Sequence, residues 1–358
     1  MTIRAPIAIY HEHPDWFRPL FSELDRRGVP YVRLDAGRHT FDPTAETPDW
    51  ALVFNRMSPS AYLRGHASSI FFTSQYLADL EHRGVRVVNG WRAWQTEISK
   101  AEQLSLLKRL GLPGPRARVI HRAEDAPAAA EGLRFPVVIK PNIGGSGAGV
   151  RRFDASETLA AAVAELDLGV DSTALVQEFI PAESGRIVRV EVLDEKFLYA
   201  IRVYTDGTDF NLCPADACQR VDGAELERSA CALDAPKNGM KVEGYEPPPE
   251  VVADVERIME AAGIEIGGVE YMIDDRDGQL YYYDVNALSN FVADAPNVVG
   301  IDAFARLADW LEREAEAATG WAASLAASNP EPAAASAATA SSATTTPVTA
   351  PVTAGGVA

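Results

Sequence analysis

A cluster of glycines between two short strand patterns is the sequence feature that most constrains the fold. Residues 135–139 form an apolar run that predicts a buried strand, and residues 150–153 predict a second strand. The segment between them, residues 144–149, holds four glycines and a serine, and Lys140 directly follows the first apolar run. Glycine loses more conformational entropy on ordering than any other residue. The cluster therefore indicates either positive φ angles or a close approach of the backbone to a ligand.

Two familiar nucleotide-binding loops do not fit this segment. A P-loop requires Gly-Lys-Ser/Thr followed by a helix, whereas Lys140 precedes the glycines and a strand pattern follows them. A dinucleotide-binding fingerprint also requires a helix after its glycines. Two interpretations remain: an ordinary flexible hairpin loop, or a flap that covers a triphosphate with its backbone N–H groups and one lysine.

Composition limits the class of protein and of partner. The chain has 358 residues, enough for two or three α/β subdomains, and 47% of them are hydrophobic. A formal net charge of −18 argues against nucleic acid or an anionic membrane as a partner. No apolar run approaches the length of about 18 residues that a membrane span needs, and no signal-peptide pattern begins the chain. Because the three cysteines (Cys213, Cys218 and Cys231) indicate free thiols, we expect a cytoplasmic protein.

The order of the patterns predicts an α/β chain. Residues 1–95 alternate strand and helix patterns, as a small parallel layer does. Residues 96–111 predict one helix that ends at a glycine, and residues 117–205 predict mainly strands. Within this first layer, His11 and His13 at the end of the first strand are interpreted as loop histidines.

Further along the chain, two segments lack regular periodicity. Residues 206–249 are rich in Asp, Cys and Pro, which predicts a long loop or insertion of functional importance. Residues 326–358 consist mostly of Ala, Ser, Thr and Pro, cannot bury a core, and predict a disordered tail. Between strand patterns that precede the first segment, Asp194-Glu195 predicts a hairpin turn.

Three oxygen-bearing side chains fall on the last predicted hairpin. Asp284 and Asn286 are two residues apart on a strand, so they share one face. Residues 276–278 suit a three-residue hairpin loop that ends in glycine, and this register places Glu270 opposite Asp284. The three side chains would then converge, and carboxylate and amide oxygens are the ligands that Mg²⁺ prefers.

The same register makes two further predictions. It pairs Asp275 with Gln279 beside the turn, and it directs Tyr283 and Val285 to the face opposite the metal ligands. The alternative interpretation is the solvated polar face of a surface hairpin. The many apolar and aromatic neighbours in both strands favour a half-buried site instead.

Together these segments resemble the ATP-grasp superfamily, and most closely its RimK-like carboxylate–amine ligases. The resemblance extends over residues 5–312. Four motifs carry it, in the order that the family has them: "VVNGWRAWQTEISKAEQLSLLKRLGLPGP", "FPVVIKPNIGGSGAGV", "ALVQEFIPAESG", and "GGVEYMID" with "YYYDVN".

The fold class that the resemblance implies is α/β (α+β), with a pre-ATP-grasp α/β layer, a small central glycine-flap subdomain and a C-terminal antiparallel-sheet subdomain. The implied boundaries are 1–95 for the first domain, 96–320 for the ATP-grasp domain, about 112–180 for its flap subdomain and about 181–320 for its C-terminal subdomain.

The resemblance also implies the residues of the site. Phosphate, flap, adenine and ribose contacts would come from Lys100, Lys140, Gly144, Gly145, Ser146, Gly147, Gln177, Glu178, Phe179, Ile180 and Glu183. The metal ligands would be Glu270, Asp284 and Asn286. The arginines facing the phosphate or acyl group would be Arg189 and Arg202, and the substrate contacts would be Asn55, Arg56 and Asn211.

The chain departs from the family pattern around the acceptor site. RimK-like ligases usually carry Arg-x-Asn and then two glycines after the strand that holds Arg202. Here "DGTDFNLCPADACQR" keeps Asn211 but has an aspartate for the arginine and lacks the glycines. An aspartate at position 284 also replaces the more usual glutamate. Cys213 and Cys218 in this segment could form a redox pair, contact the substrate, or be two half-buried thiols.

The activity implied is an ATP-dependent ligation, in which a carboxylate becomes an acyl phosphate that an amine attacks. The cofactors implied are ATP and Mg²⁺, or Mn²⁺ in its place. The substrates implied are small carboxylates and amines, such as amino acids, or a peptide. Two other functions stay open: an ATP-grasp kinase that phosphorylates a small acceptor, and a non-catalytic ATP-binding module. We expect neither nucleic acid nor membrane as a partner, and a homo-oligomer is compatible with the sequence.

Overall fold

The computed structural model describes residues 5–13, 15–145, 147–204, 241–292 and 294–328. Within these residues the chain forms three sheets in succession, a parallel one followed by two antiparallel ones. This mixture confirms the predicted α/β (α+β) class. None of the helices in the described part of the chain combines the length and the apolar character that a membrane crossing requires.

The first sheet is parallel, with the strand order β2-β1-β3-β4. Its strands and helices are β1 (Ile7–His11), α1 (Arg18–Arg27), β2 (Tyr31–Asp35), β3 (Leu52–Arg56), α2 (Ala67–His82) and β4 (Val87–Val88). All five residues of β1 and of β3 are buried, as expected for central strands covered on both faces. His11 is the last residue of β1 rather than a loop residue, and His13 beyond it is also buried.

The helix predicted over residues 96–111 is present as α4 (Lys100–Arg109), but residues 96 and 97 belong to the end of a separate helix before it, α3 (Trp91–Glu97). The helix breaks at Ser99, which has extended backbone angles and whose Oγ accepts a hydrogen bond from the backbone N–H of Glu102 at 3.1 Å. A serine N-cap of this kind satisfies a free donor of the first turn and so begins a new helix. The break leaves both Glu97 and Lys100 buried.

The second sheet is antiparallel, with the order β5-β8-β6-β7. Its elements are β5 (Ala117–Ile120), α5 (Ala126–Ala130), β6 (Val137–Pro141), β7 (Arg151–Phe153), α6 (Ser156–Ala161) and β8 (Ala174–Glu178). The glycine-rich segment connects β6 to β7, as predicted. Gly147 and Gly149 have φ angles of 69° and 74°, so positive φ explains two of the four glycines.

The third sheet is antiparallel, with the order β11-β10-β9-β12-β13. Its elements are β9 (Arg186–Leu193), β10 (Lys196–Tyr204), β11 (Val242–Tyr245), α7 (Pro249–Ala262), β12 (Ile266–Ile273) and β13 (Leu280–Asn286). Asp194 and Glu195 join β9 to β10 with φ angles of 58° each, which confirms the predicted hairpin turn. The prediction of a loop over residues 206–249 is wrong for residues 242–245, because they pair with the edge of β10 as β11.

The register between β12 and β13 changes along the hairpin. Beside the turn, the backbone N–H of Asp274 donates to the carbonyl of Gln279 at 2.8 Å, so the predicted pairing of Asp275 with Gln279 is wrong by one residue. A β-bulge next to Glu270 then shifts the register, and Glu270 lies opposite Asp284 as predicted. A bulge adds one residue to one strand and re-aims the side chains beside it.

Tyr283 is the residue that the bulge re-aims. Its hydroxyl donates to Glu270 Oε2 at 2.6 Å, so the prediction that Tyr283 faces away from the metal ligands is wrong. Val285 does face away: it is fully buried in the core between the third sheet and α7. A period-two pattern cannot reveal such a bulge, because the pattern assumes unbroken alternation.

One apolar core joins the first and third sheets. It includes Leu24 of α1, Phe54 of β3, Ile201 of β10 and Trp310 of the last helix. That helix, α9 (Ala303–Ser328), follows the short helix α8 (Ala295–Val298). Residues up to Gly320 belong to one compact unit. The proposed subdomain boundaries within that unit remain predictions.

Several sequence-based predictions concern residues outside the described ranges. They are Ser146 of the glycine segment, Asn211, the three cysteines Cys213, Cys218 and Cys231, and the tail beyond residue 328. The proposed tail began at residue 326, whereas α9 extends to Ser328. The predictions for these residues remain predictions.

Candidate active site

A cavity of about 400 Å³ lies between the glycine-rich segment and one face of the third sheet. Residues from both sides of the cavity were predicted from sequence as site residues. Those that line it are Lys100, Lys140, Gly144, Gly145, Gly147, Gln177, Phe179, Ile180, Arg189, Glu270, Asp284 and Asn286. The fold therefore brings together predicted phosphate-binding, adenine-binding and metal-binding residues that are far apart in the chain.

Two lysines converge on one carboxylate at the centre of the cavity. Lys100 forms a close ion pair with Asp284, and Lys140 Nζ lies 3.9 Å from the same carboxylate oxygen. Burial alone would raise the pKa of Asp284, but the two lysines outweigh it and hold that pKa at about 2. Burial lowers the pKa of Lys140 to about 8, and the charge of Lys100 acts in the same direction. This part of the site is therefore rich in positive charge, as phosphate binding requires.

Glu270 lies beside this pair and is fixed by two donors. Arg189 Nη1 donates to Glu270 Oε1 at 3.1 Å, and the Tyr283 hydroxyl donates to Glu270 Oε2. Burial raises the pKa of Glu270, and the negative charge of Asp284 opposite raises it further. Two buried carboxylates facing each other repel, and a divalent cation between them would relieve that repulsion.

The oxygen donors of this cluster fit a magnesium ion. Glu270, Asp284 and Asn286 all line the same cavity and offer two carboxylates and one amide oxygen. Among the described residues no group of three or more His, Cys, Asp or Glu side chains could hold a metal by itself. A magnesium ion here would therefore take further oxygens from water or phosphate, which is how Mg²⁺ commonly binds with nucleotides.

The structure adds Glu97 to the site, which the sequence reasoning missed. Glu97 lines the cavity, accepts a hydrogen bond from the backbone N–H of Ala287, and burial raises its pKa to about 7. Glu97 ends α3 and Lys100 begins α4, so the two residues lie on either side of the helix break and a helical period could not have related them. Tyr283 was also missed, because the sequence pattern does not reveal the bulge.

Part of the cavity wall is apolar. Gln177, Phe179 and Ile180 line it together with Val138 and Met272. The guanidinium of Arg152 lies 4.5 Å from the centre of the Phe179 ring. A flat heterocycle with polar edges, such as adenine, suits apolar walls with a few polar groups.

Two predicted nucleotide contacts do not reach the cavity through their side chains. The Glu178 carboxylate accepts hydrogen bonds from Arg116 Nη1 at 3.0 Å and from the backbone N–H of Arg134 at 2.8 Å. Glu183 accepts from Arg186 Nη2 at 2.5 Å. Neither residue lines the cavity. The predicted contacts of the Glu178 backbone with adenine and of Glu183 with ribose remain predictions.

Arg202 does not line the cavity, and its predicted contact with the phosphate or acyl group remains a prediction. It pairs with Val188 on β9, whereas Arg189 is the next residue along that strand and points to the other face. The Arg202 guanidinium lies 3.8 Å from the centre of the Tyr245 ring, near Glu243. Arg189 is therefore the predicted arginine that reaches the site.

The predicted substrate residues Asn55 and Arg56 are buried at the end of β3 and do not themselves line the cavity. Asn55 Nδ2 donates to the carbonyl of Asn89 at 3.0 Å, which is a structural contact. Arg56 donates through Nη2 to the carbonyl of Ser289. Two residues further along the chain, Ser58 does line the cavity.

Comparison with known proteins finds a family model that matches part of the site. Residues 98–222 match the family model of the RimK-like ATP-grasp domain. This part of the chain is thus similar to the RimK-like ATP-grasp domain. The resemblance found in the sequence is therefore confirmed, and the glycine-rich segment is part of an ATP-grasp fold.

Solved ATP-grasp structures share the fold along most of the chain. A RimK domain ATP-grasp protein from Sphaerobacter thermophilus has a TM-score of 0.60 and 21% identity, over 85% of this chain and 98% of that one. The ATP-grasp ligase PsnB, complexed with a minimal precursor, has a TM-score of 0.59 and 22% identity, over 87% and 99% of the two chains. At such identities the likeness shows the ATP-grasp fold.

Curated relatives match this ATP-grasp chain over shorter stretches. A D-alanine–D-alanine ligase of Geobacter sulfurreducens is 34% identical over 127 residues, 32% of this chain and 37% of the relative. A D-alanine–D-alanine ligase of Ectopseudomonas mendocina is 30% identical over 50% of this chain and 51% of the relative. A probable alpha-L-glutamate ligase of Shewanella frigidimarina is 27% identical over 50% and 61%. The chain thus spans between about a third and two thirds of the length of these relatives.

Proposed function

We propose that this protein is an ATP-dependent ligase that joins a carboxylate to an amine through an acyl phosphate. The observation that carries the proposal is the convergence of Lys100 and Lys140 on Asp284, beside Glu270, in a cavity next to the glycine-rich segment. Phosphoryl transfer depends mainly on positioning and charge neutralisation, and these residues supply both.

In this proposal Lys100 and Lys140 first pair with Asp284 and then with the phosphates of ATP. Without nucleotide, Lys100 and Lys140 neutralise Asp284. With nucleotide, they would turn to the phosphates, and Glu270, Asp284 and Asn286 would hold Mg²⁺, for which Mn²⁺ is the substitute to test. The ion would neutralise negative charge in the site. PsnB has been solved with Mg and ADP, which supports this choice of ion.

The reaction then needs two displacements. A substrate carboxylate oxygen bonds to the γ-phosphorus as the bond to the β-phosphate oxygen breaks, which releases ADP. The amine nitrogen next bonds to the acyl carbon as the acyl–oxygen bond to phosphate breaks, and the nitrogen loses its surplus proton. Lys140 and Arg189 lie where they can stabilise the oxygen charges of both displacements. The glycine segment, placed over the site, would limit the access of water to the acyl phosphate.

The comparisons favour an amino acid or a peptide as a substrate. The relatives are named as D-alanine–D-alanine and glutamate ligases, and PsnB is solved with a precursor peptide. A homo-oligomer remains a prediction, and the molar mass of the protein in solution tests it. We place the protein in the cytoplasm on the strength of its composition.

The proposal is tested by ADP release in the presence of Mg·ATP, candidate carboxylates and amines, with hydroxylamine as a trap. We expect ADP release that depends on the carboxylate and an acyl hydroxamate when hydroxylamine replaces the amine. A stable phosphorylated product without hydroxamate would instead establish a kinase.

The Lys140→Ala variant tests whether this lysine binds the phosphates of ATP. A charge-assisted contact to phosphate contributes roughly 1.5–3 kcal/mol, so we expect the affinity for Mg·ATP to fall by about tenfold or more. Lys108→Ala, which removes an exposed lysine from α4, is the control and should bind Mg·ATP normally. Calorimetric titration with Mg·ATP measures both. Unchanged affinity in Lys140→Ala would remove this lysine from the site.

A further inference from the structure

Lys100 and Lys140 reach Asp284 from two different elements. Lys100 is the first residue of α4, whereas Lys140 lies near the end of β6. In the proposed ligase both lysines have to meet the phosphates of one nucleotide. An error of about 1 Å in the placement of a group in a site can lower a rate by about a hundredfold. The position of α4 relative to β6 therefore matters for phosphate binding.

Asn142, which directly follows β6, connects the two elements. Its backbone carbonyl accepts a hydrogen bond from the N–H of Lys100 at 3.2 Å, and its Oδ1 accepts from the N–H of Ala101 at 3.0 Å. The hydroxyl of Ser99 donates to the same Oδ1 at 3.3 Å. The first N–H groups of a helix have no partner within that helix. Because Asn142 satisfies two of them, it fixes the start of α4 against the end of β6.

The side-chain amide of Asn142 is itself held in one orientation. The residue is buried, and its Nδ2 donates to Asp171 Oδ2 at 3.0 Å. Asp171 Oδ1 in turn accepts from the backbone N–H of Thr173 at 3.2 Å. The backbone N–H of Asn142 donates to the carbonyl of Thr173 at 2.9 Å, which extends the pairing of β6 with β8. The place requires a donor and an acceptor from one side chain, and asparagine supplies both.

Gln103 fixes α4 to a different strand, β13. Its Nε2 donates to the carbonyl of Val285 at 2.8 Å, and its Oε1 accepts from the N–H of Val285 at 3.2 Å. Lys100 lies one turn before Gln103 on the same side of the helix, and Asp284 precedes Val285 in β13. Gln103 therefore holds Lys100 near the metal ligands, whereas Asn142 determines where Lys100 lies relative to β6.

We propose that Asn142 is a positioning residue, which sets the distance between Lys100 and Lys140 and so aligns both lysines with the phosphates of ATP. Asn142 does not line the cavity and acts through the backbone of α4 rather than through contact with a ligand. The inference rests on the proposed function, because it takes the lysines to bind phosphate. Since Asn142 also precedes the glycine-rich segment, the position of that segment relative to α4 depends on the same residue.

The first experiment measures the Kd of Mg·ATP by calorimetry in Asn142→Ala. We expect binding to weaken by about threefold to tenfold, because the start of α4 loses a buried hydrogen bond and Lys100 moves with it. Ser99→Ala is the matched control. It removes the hydroxyl that caps the N–H of Glu102 in the same helix but keeps both backbone bonds to Asn142, so its Kd should stay within about twofold of that of the unaltered protein. Unchanged affinity in Asn142→Ala, or an equal loss in Ser99→Ala, overturns the proposal.

The second experiment separates positioning from a general structural role. Asn142→Ala is combined with Lys100→Ala, and the Kd of Mg·ATP is measured in both single variants and in the double variant. We expect Asn142→Ala to change the Kd by less than about twofold when Lys100 is already absent, because residues that act through one another are not additive. A merely structural role would lower affinity by the same factor in both backgrounds, and this result overturns the proposal.

The third experiment exchanges the two ends of a hydrogen bond. Asn142→Asp alone places two carboxylates against each other and should weaken Mg·ATP binding. Combined with Asp171→Asn, it gives the acceptor to position 142 and the donor to position 171 without a change of net charge. We expect the combined variant to recover the Kd to within about threefold of that of the unaltered protein. Absence of recovery overturns the proposal, and this pair decides the matter if Asn142→Ala fails to fold.

The lysine variants separate this inference from the proposed function. If Lys100→Ala and Lys140→Ala bind Mg·ATP normally, the phosphate site of the proposed function is wrong, and the role of Asn142 is wrong with it. If they bind weakly but Asn142→Ala binds normally, only the positioning role is wrong. If all the variants bind as predicted and no substrate combination releases ADP, the ligase activity is wrong and the positioning role stands.

Discussion

The effect of the Asp284 charge on stability depends on which charged groups surround it. In the sequence-based prediction, the charged group opposite Asp284 is the carboxylate of Glu270. Removal of the Asp284 charge would then relieve a repulsion between two carboxylates, with little loss or even a gain of stability. In the structure, Lys100 and Lys140 both face Asp284 as well. Removal of its charge would therefore leave two buried lysines with less compensation, and this reverses the expected effect on stability.

We predict that Asp284→Asn lowers the free energy of unfolding in the absence of nucleotide, by roughly 3 kcal/mol. Added Mg·ATP should stabilise the unaltered protein by about 2.7 kcal/mol at a hundred times its Kd, and should stabilise the variant much less. Urea unfolding with and without Mg·ATP measures both effects.

Val285→Ala is the matched control, because Val285 is buried on the opposite face of β13. It should lower stability by about 1–3 kcal/mol through a cavity, while its response to Mg·ATP remains normal. The site would be misplaced if Asp284→Asn kept the full response to Mg·ATP and Val285→Ala lost it.

At the scale of elements, the hairpin of β12 and β13 determines the geometry of the metal ligands. Its bulge keeps Glu270 opposite Asp284 and also turns Tyr283 toward Glu270. Gly267 allows the two strands to approach closely, since a Cβ atom there would lie 2.1 Å from the carbonyl oxygen of Asn286. That oxygen belongs to the backbone and cannot turn away as a flexible side chain would.

We predict that Gly267→Ala forces β13 away from β12 and costs about 3 kcal/mol or more, at the upper end for overpacked sites. Because Asn286 moves with its carbonyl, stabilisation by Mg·ATP should also decrease. Gly144→Ala is the stability control, since the nearest atom to its Cβ would be the Tyr62 hydroxyl at 3.6 Å. Equal Tm values for the two variants would show that the strands tolerate the extra atom.

For the whole molecule, Asn89 connects the first sheet with the third. This buried residue has a φ angle of 51°, and its Nδ2 donates to the carbonyls of Ile266 and Ala287 at 2.6 and 2.7 Å. Its Oδ1 accepts from the backbone N–H of Glu265 at 2.9 Å. The asparagine thus satisfies backbone groups at the start of β12 and after β13, and it holds the two sheets in position around the cavity.

We predict that Asn89→Ala costs on the order of 3 kcal/mol, because it leaves several buried backbone groups unpaired and places alanine at positive φ. Asn297→Ala, an exposed change on α8, should stay within about 0.5 kcal/mol of the unaltered protein. Thermal unfolding compares them. A loss of stability no larger in Asn89→Ala than in Asn297→Ala would contradict this role.

Most of the elements, and the candidate phosphate and metal residues, follow from the sequence alone. Strands and helices have periods that adjacent residues display, and glycines, lysines and paired carboxylates indicate chemistry by their type and spacing. That is why Lys140, Asp284 and the glycine-rich segment could be predicted from the residues, whereas Lys100 was predicted from the resemblance to the ATP-grasp family.

What only the tertiary structure decided depends on contacts between residues remote in the chain. The bulge that re-aims Tyr283, the placement of Arg202 on the far face and the contacts of Asn142 with α4 are of this kind. Each is set by how sheets and strands pack against one another. The free energy of a buried charge depends on the partners that packing supplies, and no local pattern encodes those partners.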